Sequence, residues 1–187
     1  LVPGEDRARR LRLSLMETLA RGQAFGTGTF DDLGTRLRIV ASSLTRGEAR
    51  VLRGGSLAEA VQASMSIPGL LSPVALGGEL LVDGGLVENM PVLAARESFP
   101  GAAVVGVNIG RSWDDQAPTD LLALLGRSLD LAMRVTESRS EAAAEAVLRP
   151  DTDAVPEFDY KGQEGELFAA GARAVEAALP KLEALLL

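Results

Sequence analysis

The sequence predicts a single α/β domain over residues 1–187, because segments with helical periodicity alternate with short apolar strands and glycine or proline turns. The length of 187 residues is about that of one ordinary domain. Apolar residues make up 47% of the chain and charged residues 24%, which is sufficient to build a hydrophobic core. The chain does not begin with Met, and we expect it to start partway through a longer protein.

The first half of the chain is predicted to contain two helices and two hairpins. Leu11, Leu15 and Leu19 share one face of the first helix, and Ser56 is expected to cap the second, with Glu59 at the capping-box position. The predicted elements are a helix over 5–21, a glycine-rich loop over 22–34 with a short turn at 30–33, strands over 37–41 and 49–52, a helix over 57–65 stopped by Pro68-Gly69, and strands over 74–76 and 80–82 joined by Gly77-Gly78.

The second half is predicted to alternate helices with one apolar strand. Pro91 suits the first turn of a helix that reaches about Phe99, where Pro100-Gly101 ends it. The run over 103–109 is almost entirely apolar, which is typical of a buried strand in a parallel sheet. The remaining predictions are a helix over 120–148 in which Leu121, Leu125, Leu129, Ala132 and Val135 share a face, an acidic loop over 150–164, and a last helix from about 166.

Composition excludes several classes of chemistry. The chain has no Cys and no His, so thiolate nucleophiles, disulfides, a Ser-His-Asp triad and His-based metal sites cannot be built from it. The net charge of −7 and the aromatic content of 4% disfavour nucleic-acid binding. No apolar run approaches the roughly 18–20 residues that span a bilayer.

The most informative residue is Asp83, which follows a short apolar strand and precedes Gly84 and Gly85. This position predicts a carboxylate at the C-terminal end of a strand, where open α/β sheets bind ligands. The two glycines permit close approach by another group or unusual backbone angles.

The segment 57–91 resembles the patatin-like phospholipases, in particular the bacterial branch grouped with neuropathy target esterase. The residues that carry the resemblance are Ala63-Ser64, Ile67-Pro68-Gly69, Val82-Asp83-Gly84-Gly85 and Asn89-Met90-Pro91, in that order. The strand regions 29–41 and 102–110 also fit the family, so the resemblance covers most of residues 25–175. It implies a three-layer α/β/α sandwich with a mostly parallel sheet.

The resemblance implies a serine lipid acyl hydrolase with a Ser-Asp dyad, in which Asp83 is the base and Gly84 and Gly85 support the motif. No serine of this chain lies in Gly-x-Ser-x-Gly, and the family's glycine-rich oxyanion motif is also absent. Both elements precede the matched region in the family, so we expect the chain to be the C-terminal portion of the domain, with the nucleophile upstream. The implied substrate is a lipid ester, with transient apolar contact with a membrane as a further option and with no cofactor.

Simpler interpretations accompany each of these residues. Asp83 before two glycines also suits an Asx-type turn, and Ser64 and Ser66 are interpreted as packing residues, not replacement nucleophiles. Asn89 is expected to cap the helix that starts at Pro91, although a role near the site is open. Trp113 is either an interfacial anchor or an ordinary loop residue.

Two further segments and one further function stay open. The apolar segment 67–76 suits core packing, an acyl-chain pocket or a membrane contact. The acidic residues over 151–159 lack the spacing of a calcium loop and are interpreted as solvated. The alternative function is a non-catalytic binding or scaffolding domain that kept the fold and Asp83 but lost the nucleophile.

Overall fold

The computed structural model describes residues 28–113, 115–155 and 161–186. The predicted helix over 5–21 and the start of the glycine-rich loop lie outside the described residues. The chain divides into two compact units, with the boundary between Val87 and Glu88; the expectation of a single domain stays a prediction. The elements are β1 (Ile39–Ser43), β2 (Glu48–Leu52), α1 (Leu57–Ser64), β3 (Val74–Leu76), β4 (Glu79–Asp83), α2 (Gly85–Glu88), α3 (Val92–Ser98), β5 (Val105–Val107), α4 (Leu121–Ala143), β6 (Ala146–Leu148) and α5 (Glu164–Ala184).

Both predicted hairpins are confirmed, and they join in one antiparallel sheet of order β2-β1-β4-β3. The turn between β3 and β4 consists of Gly77 and Gly78, whose φ angles are 59° and 80°. Two consecutive residues with positive φ are what a tight primed turn requires, and glycine adopts them without strain. The inner strands β1 and β4 pair with Ala41 opposite Asp83, which places the end of β4 against the centre of β1.

The core of the first unit lies between this sheet and α1. The helix begins as predicted, with the Ser56 hydroxyl accepting a hydrogen bond from the amide of Glu59 at 3.3 Å. It packs against the sheet through the buried Ala60 and Ala63, whose small side chains allow close approach. The helix ends at Ser64, before the predicted stop at Pro68-Gly69. The buried core comprises Phe30, Ala41, Leu52, Ala60, Ala63 and Leu81.

The second unit corrects two predictions. The strand over 103–109 is only β5 in the structure, and its two valines are 40% and 54% exposed, so the prediction of a buried strand is wrong. The helix predicted to reach Leu148 ends at Ala143, because residues 146–148 form β6 and pair in parallel with β5. Helical periodicity could not reveal that β6 begins shortly after the helix ends, because its three apolar residues fit a helix or a strand equally well.

An ion pair between Arg96 of α3 and Glu145 lies where the end of α4 approaches the residue before β5. The guanidinium of Arg96 donates to the carbonyl of Ala143 at 2.7 Å and pairs with Glu145 at 2.5 Å. The other carboxylate oxygen of Glu145 accepts the amide of Val104 at 2.7 Å. These bonds satisfy a carbonyl at the helix C-terminus and the amide of the residue that precedes β5.

In the described ranges, none of the helices combines the length and the apolar character needed to cross a membrane. The same part of the chain contains no group of three or more acidic side chains placed to hold a metal ion. The four-stranded sheet is antiparallel and the two-stranded sheet is parallel, so the observed class is mixed α/β.

Candidate active site

Asp83 is the last residue of β4, and hydrogen bonds hold its main chain on both sides. Its amide donates to the carbonyl of Ser66 at 3.0 Å, and its carbonyl accepts the hydroxyl of Ser42 at 2.6 Å. One carboxylate oxygen, Oδ1, accepts the amide of Gly85 at 2.8 Å, which is the geometry of an Asx turn. The Asx turn predicted for Asp83 is therefore present, and it orients a half-buried carboxylate.

The serines near Asp83 use their hydroxyl protons in structural bonds. Ser64 ends α1, as expected, and donates to the carbonyl of Val40 at 2.7 Å, while Ser66 donates to the carbonyl of Gln62 at 2.7 Å. Within the described residues, no serine hydroxyl bonds to the carboxylate of Asp83, so these serines provide no nucleophile–base pair.

Gly84 allows the turn after Asp83 to lie directly against β1. A Cβ atom at this position would lie 2.2 Å from the carbonyl oxygen of Val40 and 2.8 Å from its carbonyl carbon. The amide of Gly84 donates to the carbonyl of Ser64 at 3.2 Å. Of the two reasons predicted for a glycine here, close approach is the one that applies, since the φ of Gly84 lies outside the positive region.

Burial raises the pKa of the Asp83 carboxyl above its ordinary value, and the hydrogen bond from the amide of Gly85 offsets only part of this effect. Removal from water disfavours the charged form, whereas a donor to the carboxylate favours it. A carboxylate with a raised pKa is a stronger base than an exposed one and is therefore better suited to accept a proton.

The prediction that Asn89 caps the next helix is wrong. Its side-chain amide donates instead to Glu137 of α4, and the first turn of α3 is capped by Glu88. The two carboxylate oxygens of Glu88 accept the amides of Leu93 at 2.5 Å and Ala94 at 3.3 Å. Burial raises the pKa of Glu88. A carboxylate suits this position because the N-terminal amides of a helix carry partial positive charge.

Trp113 and the acidic loop have specific partners. The guanidinium groups of Arg127 and Arg134 each lie over the ring of Trp113, at 4.9 and 5.0 Å from its centroid. Asp153 accepts the amide of Ser112 at 3.0 Å, and the hydrogen bonds from Ser112 lower its pKa. Asp151 is exposed, as predicted for a solvated loop, whereas Glu157 and Asp159 lie outside the described residues.

The sequence singles out the three contiguous residues Asp83, Gly84 and Gly85 as site candidates but does not identify the groups that bind them. Ser42 and Val40 contact this turn from β1, about 40 residues earlier in the chain. No local signal marks them, because their role depends on the pairing of β1 with β4.

Asp83 lies within a region that matches a known protein family. The model of the patatin-like phospholipase family matches residues 3–96, half of the chain, and this range includes the Asp83 turn. An NTE family protein of Mycobacterium tuberculosis is 29% identical over 180 residues, which cover 83% of this chain and 30% of that protein. Lysophospholipase NTE1 of Yarrowia lipolytica is 35% identical over 97 residues, 51% of this chain and 7% of that protein.

A second fungal protein is similar to about half of this chain. Lysophospholipase NTE1 of Debaryomyces hansenii is 33% identical over 95 residues, which cover 50% of this chain and 6% of that protein. The chain thus spans 30% of the length of the mycobacterial relatives and less of the fungal ones. The chain belongs to the patatin-like phospholipase family.

Proposed function

We propose that this chain is the C-terminal portion of the catalytic domain of a serine lipid acyl hydrolase, acting on phospholipids or lysophospholipids. The observation that carries the proposal is the half-buried carboxylate of Asp83 at the end of β4, oriented by the amide of Gly85 within the matched family region. In the complete domain, the nucleophile is a Gly-x-Ser-x-Gly serine upstream of this sequence, and the fold is a three-layer sandwich with a mostly parallel sheet.

Asp83 acts as the general base of the proposed dyad. The serine oxygen attacks the ester carbonyl carbon while its proton passes to the Asp83 carboxylate, and the alcohol leaves with that proton when the acyl-serine forms. Water then attacks the acyl-serine and loses a proton to Asp83, which returns it to the serine as the fatty acid is released. The raised pKa of Asp83 favours proton acceptance, and no metal or cofactor takes part in these steps.

The main chain around Asp83 keeps the base in place through this cycle. The Ser42 hydroxyl donates to the carbonyl of Asp83, and the carbonyl of Ser66 accepts the amide of Asp83. Gly84 allows the turn to contact Val40. We expect such support to matter because a small displacement of a base relative to its nucleophile reduces the rate steeply.

The test uses the protein extended upstream to include the Gly-x-Ser-x-Gly serine. Asp83→Asn is expected to remove hydrolysis of a short soluble p-nitrophenyl ester while thermal unfolding stays cooperative, because an amide cannot accept the serine proton. The matched control is Asp31→Asn. Asp31 is an exposed aspartate of the same compact unit, so this variant should retain full activity. Full activity in Asp83→Asn would refute the assignment of the base.

A fluorophosphonate probe distinguishes the hydrolase from the non-catalytic binding or scaffolding domain. The observation that favours this second function is that the given sequence contains no Gly-x-Ser-x-Gly motif. Intact-mass analysis of the native protein should show one adduct on a polypeptide heavier than 19.6 kDa, or on a second chain. An unlabelled native protein that carries the upstream segment supports the binding or scaffolding domain instead.

A further inference from the structure

Two of the three acidic side chains of the long helix α4, Glu137 and Glu141, contact the rest of their own unit. Glu137 accepts a hydrogen bond from Asn89, and Glu141 accepts the side-chain amide of Asn108 at 3.0 Å. Glu141 also pairs with Arg149 at 2.7 Å. The polar side of this amphipathic helix is therefore the side that binds its own unit.

The opposite side of α4 is apolar and exposed, which reverses the usual arrangement of a helix on a globular protein. At about 100° per residue, five large apolar side chains fall within one arc of about 120°. These residues, here called the apolar stripe, are Leu121, Leu124, Leu125, Leu131 and Val135, which are 71%, 50%, 53%, 57% and 53% exposed.

Basic and aromatic side chains border the apolar stripe. Arg127 and Arg134 lie along one border, and both contact the ring of Trp113, which is 41% exposed. Arg139 is exposed and lies one turn beyond Val135, in line with the stripe. Arginines and a tryptophan at the edge of an apolar stripe match the polar boundary of a phospholipid layer, where guanidinium groups meet phosphates and indole rings lie at head-group depth.

We propose that the apolar stripe, together with Trp113 and the bordering arginines, docks α4 flat on the surface of a phospholipid bilayer. The choice of a lipid surface as the partner rests on the proposed function. The net charge of −7 opposes adsorption to strongly anionic surfaces, so the partner is a bilayer dominated by phosphatidylcholine, bound through apolar insertion and arginine–phosphate contacts. The distribution of charges on α4 supports this orientation, since Asp130, Glu137 and Glu141 lie on the side away from the stripe.

The sole tryptophan of the chain makes the docking directly measurable. In the protein extended upstream to include the Gly-x-Ser-x-Gly serine, titration with large phosphatidylcholine vesicles should shift the emission that Trp113→Phe removes to shorter wavelength, and the protein should sediment with sucrose-loaded vesicles. Absence of binding there would mean that the stripe is covered in the complete domain, and it would overturn the proposal. The double variant Leu121→Gln/Leu125→Gln should lower the partition coefficient at least about tenfold, because two leucines no longer leave water on docking. Glutamine keeps a high helix propensity.

The matched control is Leu179→Gln on α5, a leucine that is 45% exposed and lies outside the stripe. It should bind vesicles like the unmodified chain. Circular dichroism verifies that each variant is folded, and Leu124→Gln/Leu131→Gln repeats the test on the same stripe if the first pair fails to fold.

Three results would overturn the proposal: no vesicle binding by the unmodified chain, equal binding by the stripe variants, or equal loss in Leu179→Gln. Concentration-dependent dimerisation abolished by the stripe variants, without vesicle binding, would assign the stripe to an interface between copies. The test is independent of catalysis. Docking without ester hydrolysis in the extended protein overturns only the proposed function, whereas hydrolysis of a soluble ester without docking overturns only this inference.

Discussion

Gly84→Ala tests whether the close contact between the Asp83 turn and β1 determines the stability of this region. The new Cβ would lie 2.2 Å from the carbonyl oxygen of Val40, a main-chain atom that cannot rotate away. Relief requires a shift of about 1 Å in the turn or in β1, which side-chain repacking alone does not provide. Such a shift also disturbs the bond from the Ser64 hydroxyl to the same carbonyl, now 2.7 Å long.

The expected loss in the free energy of unfolding is about 3 kcal/mol, from overpacking together with one weakened hydrogen bond. For a chain of this size, that loss lowers the melting temperature by about 6–12 °C. The same substitution should also reduce hydrolysis in the extended protein, since the turn carries Asp83.

Urea unfolding followed by circular dichroism measures the change, with Gly54→Ala as the matched control. A Cβ at Gly54 meets nothing within 4 Å, so that variant should stay within about 0.5 kcal/mol of the unmodified protein. A loss for Gly84→Ala no larger than that of Gly54→Ala would refute the packing argument.

Two further predictions concern carboxylates with raised pKa values. Since burial raises the pKa of Asp83 above 3.8, the folded state binds its proton more tightly, and this group's contribution to stability falls as the pH rises through the folded pKa. Asp83→Asn should therefore be more stable than the unmodified protein at pH 7, with the difference vanishing below the ordinary pKa; urea unfolding at several pH values tests this, and a constant difference would contradict it. Glu88→Ala should cost about 1–2 kcal/mol by leaving the amides of Leu93 and Ala94 without their acceptor, whereas Glu88→Gln should cost less; equal losses in thermal melts would argue against the capping role.

Features that depend on neighbouring residues were predictable from the sequence. The Gly77-Gly78 turn, the Ser56 cap and the strand that ends at Asp83 were all predicted, because turn and cap chemistry act over about two to four residues. The Asp83-Gly84-Gly85 turn was identified for the same reason, since an Asx turn needs only the carboxylate and the amide two residues later.

Features that depend on distant partners required the tertiary structure. The support of Asp83 by Ser42 depends on the pairing of β1 with β4, and the capping of α3 by Glu88 left Asn89 bound to Glu137 instead. Periodicity likewise showed that α4 has an apolar face but not that this face is exposed. Which side of a helix is covered, and which hydroxyl reaches which carbonyl, follow from contacts between segments 40 or so residues apart, and no local pattern encodes those contacts.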